Sequence, residues 1–88
     1  MITVERVSNK TYNVTVVGST TTQHKVTVNP SYHEKLTGGR VAPEILIERS
    51  FEFLLERESN SSILQTFDLP IIGRYFPDYE RTIQAMLE

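Results

Sequence analysis

His24 and His33 carry the only imidazoles of the sequence, the group that serves most readily as a general base or metal ligand near neutral pH. Neither is accompanied by the second histidine or carboxylate that a metal or catalytic motif sets at fixed spacing. His24 falls on the same alternating set as Val26 and Val28, which makes it a partly buried strand histidine. His33 follows Tyr32 in the opening turns of a short helix, where an exposed polar residue is expected. No serine stands in a nucleophile motif, and with no cysteine there is no thiolate nucleophile, cysteine-type zinc site or disulfide framework. Gly38-Gly39-Arg40 holds the only glycine pair, whose amides beside a helix start could cradle a phosphate. Neither a P-loop nor a dinucleotide fingerprint surrounds it, so a helix terminator is expected. These residues predict a chain that is not an enzyme and takes no cofactor or metal.

Two further groups bear on binding. Glu44, Glu48, Glu52 and Glu56 recur every four residues and make a slowly turning acidic stripe on a helix. Such a stripe is a docking surface for a basic partner or simply a solvated face, and the solvated face is the expectation. Arg74, Tyr75, Phe76 and Tyr79 belong to the densest aromatic cluster of the chain. Tyrosine and arginine are frequent at interface hot spots, which makes these four the first candidates for a protein-binding surface. Core and helix-staple residues around Pro77-Asp78 are the competing reading.

The element that must position these groups is the stretch Pro43 to Glu58. At about 100° per residue, Leu46, Ile47, Ser50, Phe51, Leu54 and Leu55 fall on one half of a helix and Glu48, Arg49, Glu52 and Glu56 on the other. Pro43 suits the first helical position, where its missing N–H would have had no partner, and Glu44 favours the positive end of the dipole. Before it, Ile2 to Val7, Thr11 to Val17 and Thr22 to Val28 alternate as half-buried strands, joined by turns at Ser8-Asn9 and Gly18-Ser19. Asn29, Pro30 and the pair Tyr32/Leu36 predict a short helix ending at Gly38-Gly39. After the polar run Ser59 to Ser62, one further turn is expected through Ile63 and Leu64. Asp68 is expected to cap a short helix to Phe76, and Asp78 a last one carrying Tyr79, Ile83, Met86 and Leu87 on one face.

The predicted fold is thus α+β: a three-stranded antiparallel β-meander (1–28), a short helix and a long amphipathic helix forming a hairpin (29–58), and short C-terminal helices (59–88) packed on one face of the sheet. Eighty-eight residues make a single domain near the lower size limit for a self-sufficient core, so a homodimer or other homo-oligomer is an ordinary expectation. No window approaches the roughly 20 apolar residues of a membrane helix, and the expectation is a soluble, cytoplasmic chain without a membrane partner. The net charge of −2 conceals an asymmetry: three cations against one carboxylate in residues 1–28 (+2), six against ten in residues 29–88 (−4). That balance counts against a broad phosphate-binding surface.

Strand, short helix, glycine turn and long helix follow one another over residues 24–57 in an order that resembles the ribbon-helix-helix proteins. His24 to Val28 would be the strand, Pro30 to Thr37 the first helix, and Leu46-Ile47, Ser50-Phe51 and Leu54-Leu55 are similar to that family's second-helix pattern. The resemblance implies a dimer whose paired strands enter the DNA major groove. Gln23, Lys25 and Thr27 would then point toward bases while Val26 and Val28 face the core. The apolar C-terminal segment beside such a module resembles an antitoxin, with a toxin as protein partner. The leading expectation is a small protein-interaction or regulatory domain acting as a homodimer or adaptor; a ribbon-helix-helix-like DNA-binding regulator or antitoxin is the alternative.

Overall fold

Three strands come first in a computed structural model that describes residues 1–87: β1 (Ile2–Arg6), β2 (Thr11–Val17) and β3 (Thr21–Thr27). They pair antiparallel in the order of the chain, Val4 opposite Val14 and Val14 opposite His24. The period-two pattern decides which side is covered. Tyr12, Val14, Val16, His24 and Val26 are buried on one face, while Asn13, Val17, Thr21, Gln23 and Lys25 stay exposed on the other. All helical packing therefore falls on one side of the sheet.

Two helices follow, α1 (Pro30–Thr37) and α2 (Pro43–Leu55), each with proline in its first turn. Gly38 (φ 65°) and Gly39 (φ 76°) both adopt the left-handed conformation between them, and the Gly38 amide closes α1 on the Glu34 carbonyl at 2.8 Å. The long helix stops at Leu55, three residues before its expected end, because the amides of Arg57 and Glu58 both turn back to the Leu54 carbonyl at 2.9 Å. Of its predicted face, Leu46, Ile47, Ser50, Phe51 and Leu54 are buried, and Leu55, its last residue, is half-buried. Phe53, outside that face, is fully buried as well. Its ring meets Phe76 and Tyr79 edge-on, with centroids 5.9 and 5.3 Å away, so α2 is covered on a second side by the C-terminal segment.

That segment corrects the expected meander. A 3-10 turn at Asn60–Ser62 leads to a fourth strand, β4 (Thr66–Asp68), which runs parallel to β3 with Phe67 opposite Val26. A parallel neighbour needs a long crossover, and α1 and α2 supply it. The sheet is thus four-stranded and mixed, in the order β1-β2-β3-β4. Asp68 lies in β4 and caps no helix; α3 (Ile71–Tyr75) starts only after Pro70. Three residues are too few for an alternation to be read, which is why this strand escapes sequence inspection. The last helix, α4 (Tyr79–Met86), follows Asp78 and buries Tyr79 and Ile83 with Met86 and Leu87 half-covered. The Asp78 carboxylate does not cap an amide: it accepts from Arg57 at 3.1 Å and from the Thr82 hydroxyl at 3.4 Å. No helix is long and apolar enough to cross a membrane among the described residues.

A buried hydroxyl pair locks α4 on α2. Ser50 Oγ donates to the Leu46 carbonyl at 2.7 Å and so accepts from the Tyr79 hydroxyl, also at 2.7 Å. Burial pushes the Tyr79 phenol above the ordinary value of 10.0. Burial and then the 2.8 Å bond to Glu80 do the same to Tyr32. A group held protonated by the fold contributes stability below its unfolded pKa and loses it as pH rises toward the folded one, so stability falls above pH 10.0. Tyr79→Phe is expected to cost about 1 kcal/mol at neutral pH, from one lost hydrogen bond, and to flatten the alkaline decline. Urea midpoints of both proteins measured across the neutral and alkaline range check this; parallel declines would contradict it.

Candidate functional site

An apolar groove of about 330 Å³ opens where the end of α2, the segment leading into β4, and α3 meet. Leu54 and Glu58 form one wall, Ile63, Leu64 and Phe67 a second, and Ile71, Ile72, Tyr75 and Phe76 the third. Tyr75 at 65% exposure and Leu64 at 46% are both exposed large apolar side chains and both belong to this groove. Single exposed apolar residues need no explanation; two on one concavity do.

Each wall is held from behind. Leu64 is fastened by His24, whose Nδ1–H donates to the Leu64 carbonyl at 2.8 Å. The carbonyl can only accept, which puts a proton on that nitrogen. On the other side of the ring, Nε2 meets the Thr22 hydroxyl at 2.9 Å, and Thr22 Oγ1 accepts from the Asn60 amide at 3.1 Å. Asn60 also donates to the Thr20 carbonyl at 2.7 Å, so the 3-10 turn is tied to the β2–β3 connection. The imidazole is 3% exposed and rests on Phe51 at 5.3 Å. The α3 wall is backed by Phe76 against Phe53. Arg57 braces the end of α2, its guanidinium 3.6 Å from the Phe53 ring centroid, bonded to the Phe53 carbonyl and to Asp78.

The four residues expected to form a protein-binding surface separate here. Tyr75 and Phe76 line the groove, whereas Arg74 is exposed but not among the lining residues. Tyr79 is fully buried and belongs to the core behind Phe53. Ile63, Leu64 and Phe67, which β4 and the segment before it bring to the site, are not among the expected site residues; the signals they carry in the sequence are Ile63-Leu64 standing apolar after four polar residues and the apolar character of the segment that begins at Phe67.

Gln23, Lys25 and Thr27 stand together on the open face of β3. Lys25 is the one cation on that face among the described strand residues; Asn13 and Thr66 stand directly across from it, Asp68 lies diagonal to it on β4, and Glu5 is two strands away on β1. Both edges of β3 are occupied within the chain: β2 pairs along its length, and the Lys25 amide reaches the Gln65 carbonyl at 2.7 Å.

The remaining candidates serve the fold. His33 is half-buried, its Nε2 2.6 Å from the Val41 carbonyl, and joins α1 to the α2 approach. The amides of Gly38, Gly39 and Arg40 are spent on Glu34, the Thr37 hydroxyl and the Thr37 carbonyl, leaving no cradle for a phosphate. Repulsion along the acidic stripe is relieved by Arg49, which bridges Glu48 at 3.1 Å and Glu52 at 3.0 Å. Among the described residues no three His, Asp or Glu side chains converge on a point that could hold a metal ion. No family model, curated protein or solved structure matches the chain.

His24→Leu keeps the volume but removes the bond to Leu64, and is expected to cost about 1–3 kcal/mol. The amides of residues 63–66 should then exchange with solvent faster than in the parent while those of α4 stay protected. Uniform acceleration across the chain would contradict a local latch.

Proposed function

We propose that the chain is a small non-enzymatic protein-interaction domain that acts as a homodimer or adaptor and takes an apolar side chain of its partner into the groove beside Tyr75. The observation that carries this reading is the convergence of Tyr75 and Leu64, both solvent-exposed, on one apolar concavity whose walls are braced from behind. An anchor in a preformed pocket is the ordinary architecture of a binding hot spot. Absence of cysteine is in keeping with a cytoplasmic location.

A ribbon-helix-helix-like DNA-binding regulator or antitoxin is the second reading, favoured by the placement of Gln23, Lys25 and Thr27 on one face, the first two exposed and Thr27 half-buried. It requires β3 to exchange β4 for the same strand of a second copy, and phosphate attraction from Lys25 alone with the Asp68 carboxylate diagonal to it. The groove reading needs neither.

Selection of displayed peptides on the immobilised protein tests the proposal. Peptides with a large apolar anchor are expected, and Leu64→Ser combined with Tyr75→Ala should weaken them at least about tenfold, the scale of one hot-spot anchor, with the circular dichroism spectrum unchanged. Ligands that bind the double variant as well as the parent, or no ligand at all, would overturn it.

A further inference from the structure

The edge of the sheet away from the groove carries a second surface. Among the described residues, β1 has β2 on one side and no strand on the other. The Val7 amide bonds to the Thr11 carbonyl and the Val17 amide to the Met1 carbonyl, both at 2.9 Å, so Met1 and Val7 turn their backbone groups toward β2. Alternation along the strand turns Thr3 and Glu5 the same way, and aims the N–H and C=O groups of Ile2, Val4 and Arg6 outward. All five residues of β1 are exposed or half-buried. Natural edges are blunted by proline, charged side chains (lysine above all), a bulge or brevity. The opposite edge is short, with β4 three residues long and Pro70 just beyond it. β1 has five residues in unbroken register with β2, neither proline nor lysine, and its two charges, Glu5 and Arg6, confined to one end.

We infer that β1 pairs antiparallel with β1 of a second copy, about a two-fold axis through Val4. In this register Val4 faces the partner's Val4, Ile2 faces the partner's Arg6, and Thr3 faces the partner's Glu5. Every outward backbone group then finds a complement, in about six hydrogen bonds. The register is selected by what it opposes. Sliding one way sets Glu5 against the partner's Glu5, two like charges directly across the ladder. Sliding the other way leaves Arg6 unpaired and loses a third of the bonds. With Val4 at the centre, the Thr3 hydroxyl can donate to the carboxylate opposite it. Ile2 and Val4, half-buried on the core face, continue the apolar layer of one copy into that of the other.

Such an axis stands perpendicular to the sheet, so both sets of helices lie on one side of a continuous eight-stranded sheet, about 34 Å across at the usual strand spacing. The grooves, beside β4, come to its two outer ends, and the dimer presents them as a bivalent pair. The inference specifies the homodimer of the proposed function and rests on that reading, but it does not depend on what occupies the groove.

Val4→Pro tests it, because the proline removes an N–H that has no partner within the chain and is tolerated at a solvent-facing edge position. Light scattering of the full chain at micromolar concentration is expected to give a dimer, and Val4→Pro to raise its dissociation constant at least about tenfold, the scale of two lost central bonds. Hydrogen exchange of the unaltered protein gives an independent readout should the variant fail to fold. The amides of Val4 and Arg6 should become protected as concentration rises, while those of Thr3 and Glu5 are protected throughout. A monomer at all concentrations, a dimer whose Val4 and Arg6 amides exchange freely, or a folded Val4→Pro protein that dimerises undiminished would each overturn the inference. A monomer that still binds the selected peptides refutes the pairing and leaves the groove standing; a dimer that binds none does the reverse.

Discussion

Burial of α2 on two sides is the constraint from which the rest of the chain follows. Leu46, Ile47, Phe51 and Leu54 require a sheet face, and Phe53, off that face, requires a second cover. The half-buried Glu-Arg stripe and the exposed Ile45 are what the helix leaves to water. A chain of this length cannot supply two covers from one meander, so residues after Leu55 have to return. They do so by adding β4 to the sheet and laying α4 along the helix, with the Ser50–Tyr79 hydroxyl pair fixing where α4 lies.

The groove is a by-product of that return. The chain leaves α2 at Leu55 and reaches the sheet at Thr66 through a turn held by Asn60 and His24, and then doubles back through Pro70 into a helix of five residues. A short helix and an extended segment cannot close completely over the end of a longer helix, and the apolar side chains that line the gap stay partly wet. The groove walls are nevertheless positioned by buried hydrogen bonds and aromatic contacts, and no buried side-chain polar atom among the described residues is left without a partner. A cavity with fixed walls loses little order on binding, which favours affinity.

How much of this is legible in the sequence depends on the range of the interactions involved. Strands β1 to β3 and the start of α2 are written locally, in alternation, turn residues and Pro43, and they form where local reading puts them. The glycine pair reads correctly as a terminator because its positive φ angles are a local property. Phe53 and β4 are not local. Phe53 sits on the polar side of the helical wheel until α4 is in place, and Thr66–Asp68 becomes a strand only because β3 offers an edge about forty residues earlier in the chain. The same holds at the site. Tyr75 and Phe76 stand out by composition, but Tyr79, four residues on, is core, and Leu64 joins the groove only through a histidine forty residues away.

Under the proposed function, this groove rather than the open face of the sheet is where the molecule meets its partner. A backbone amide shift map with a saturating small apolar probe, such as anilinonaphthalene sulfonate, tests it most directly. Perturbations clustered at Leu54, Ile63, Leu64, Ile72, Tyr75 and Phe76 are predicted. Perturbations centred on Gln23, Lys25 and Thr27, or spread evenly over the chain, would contradict the account.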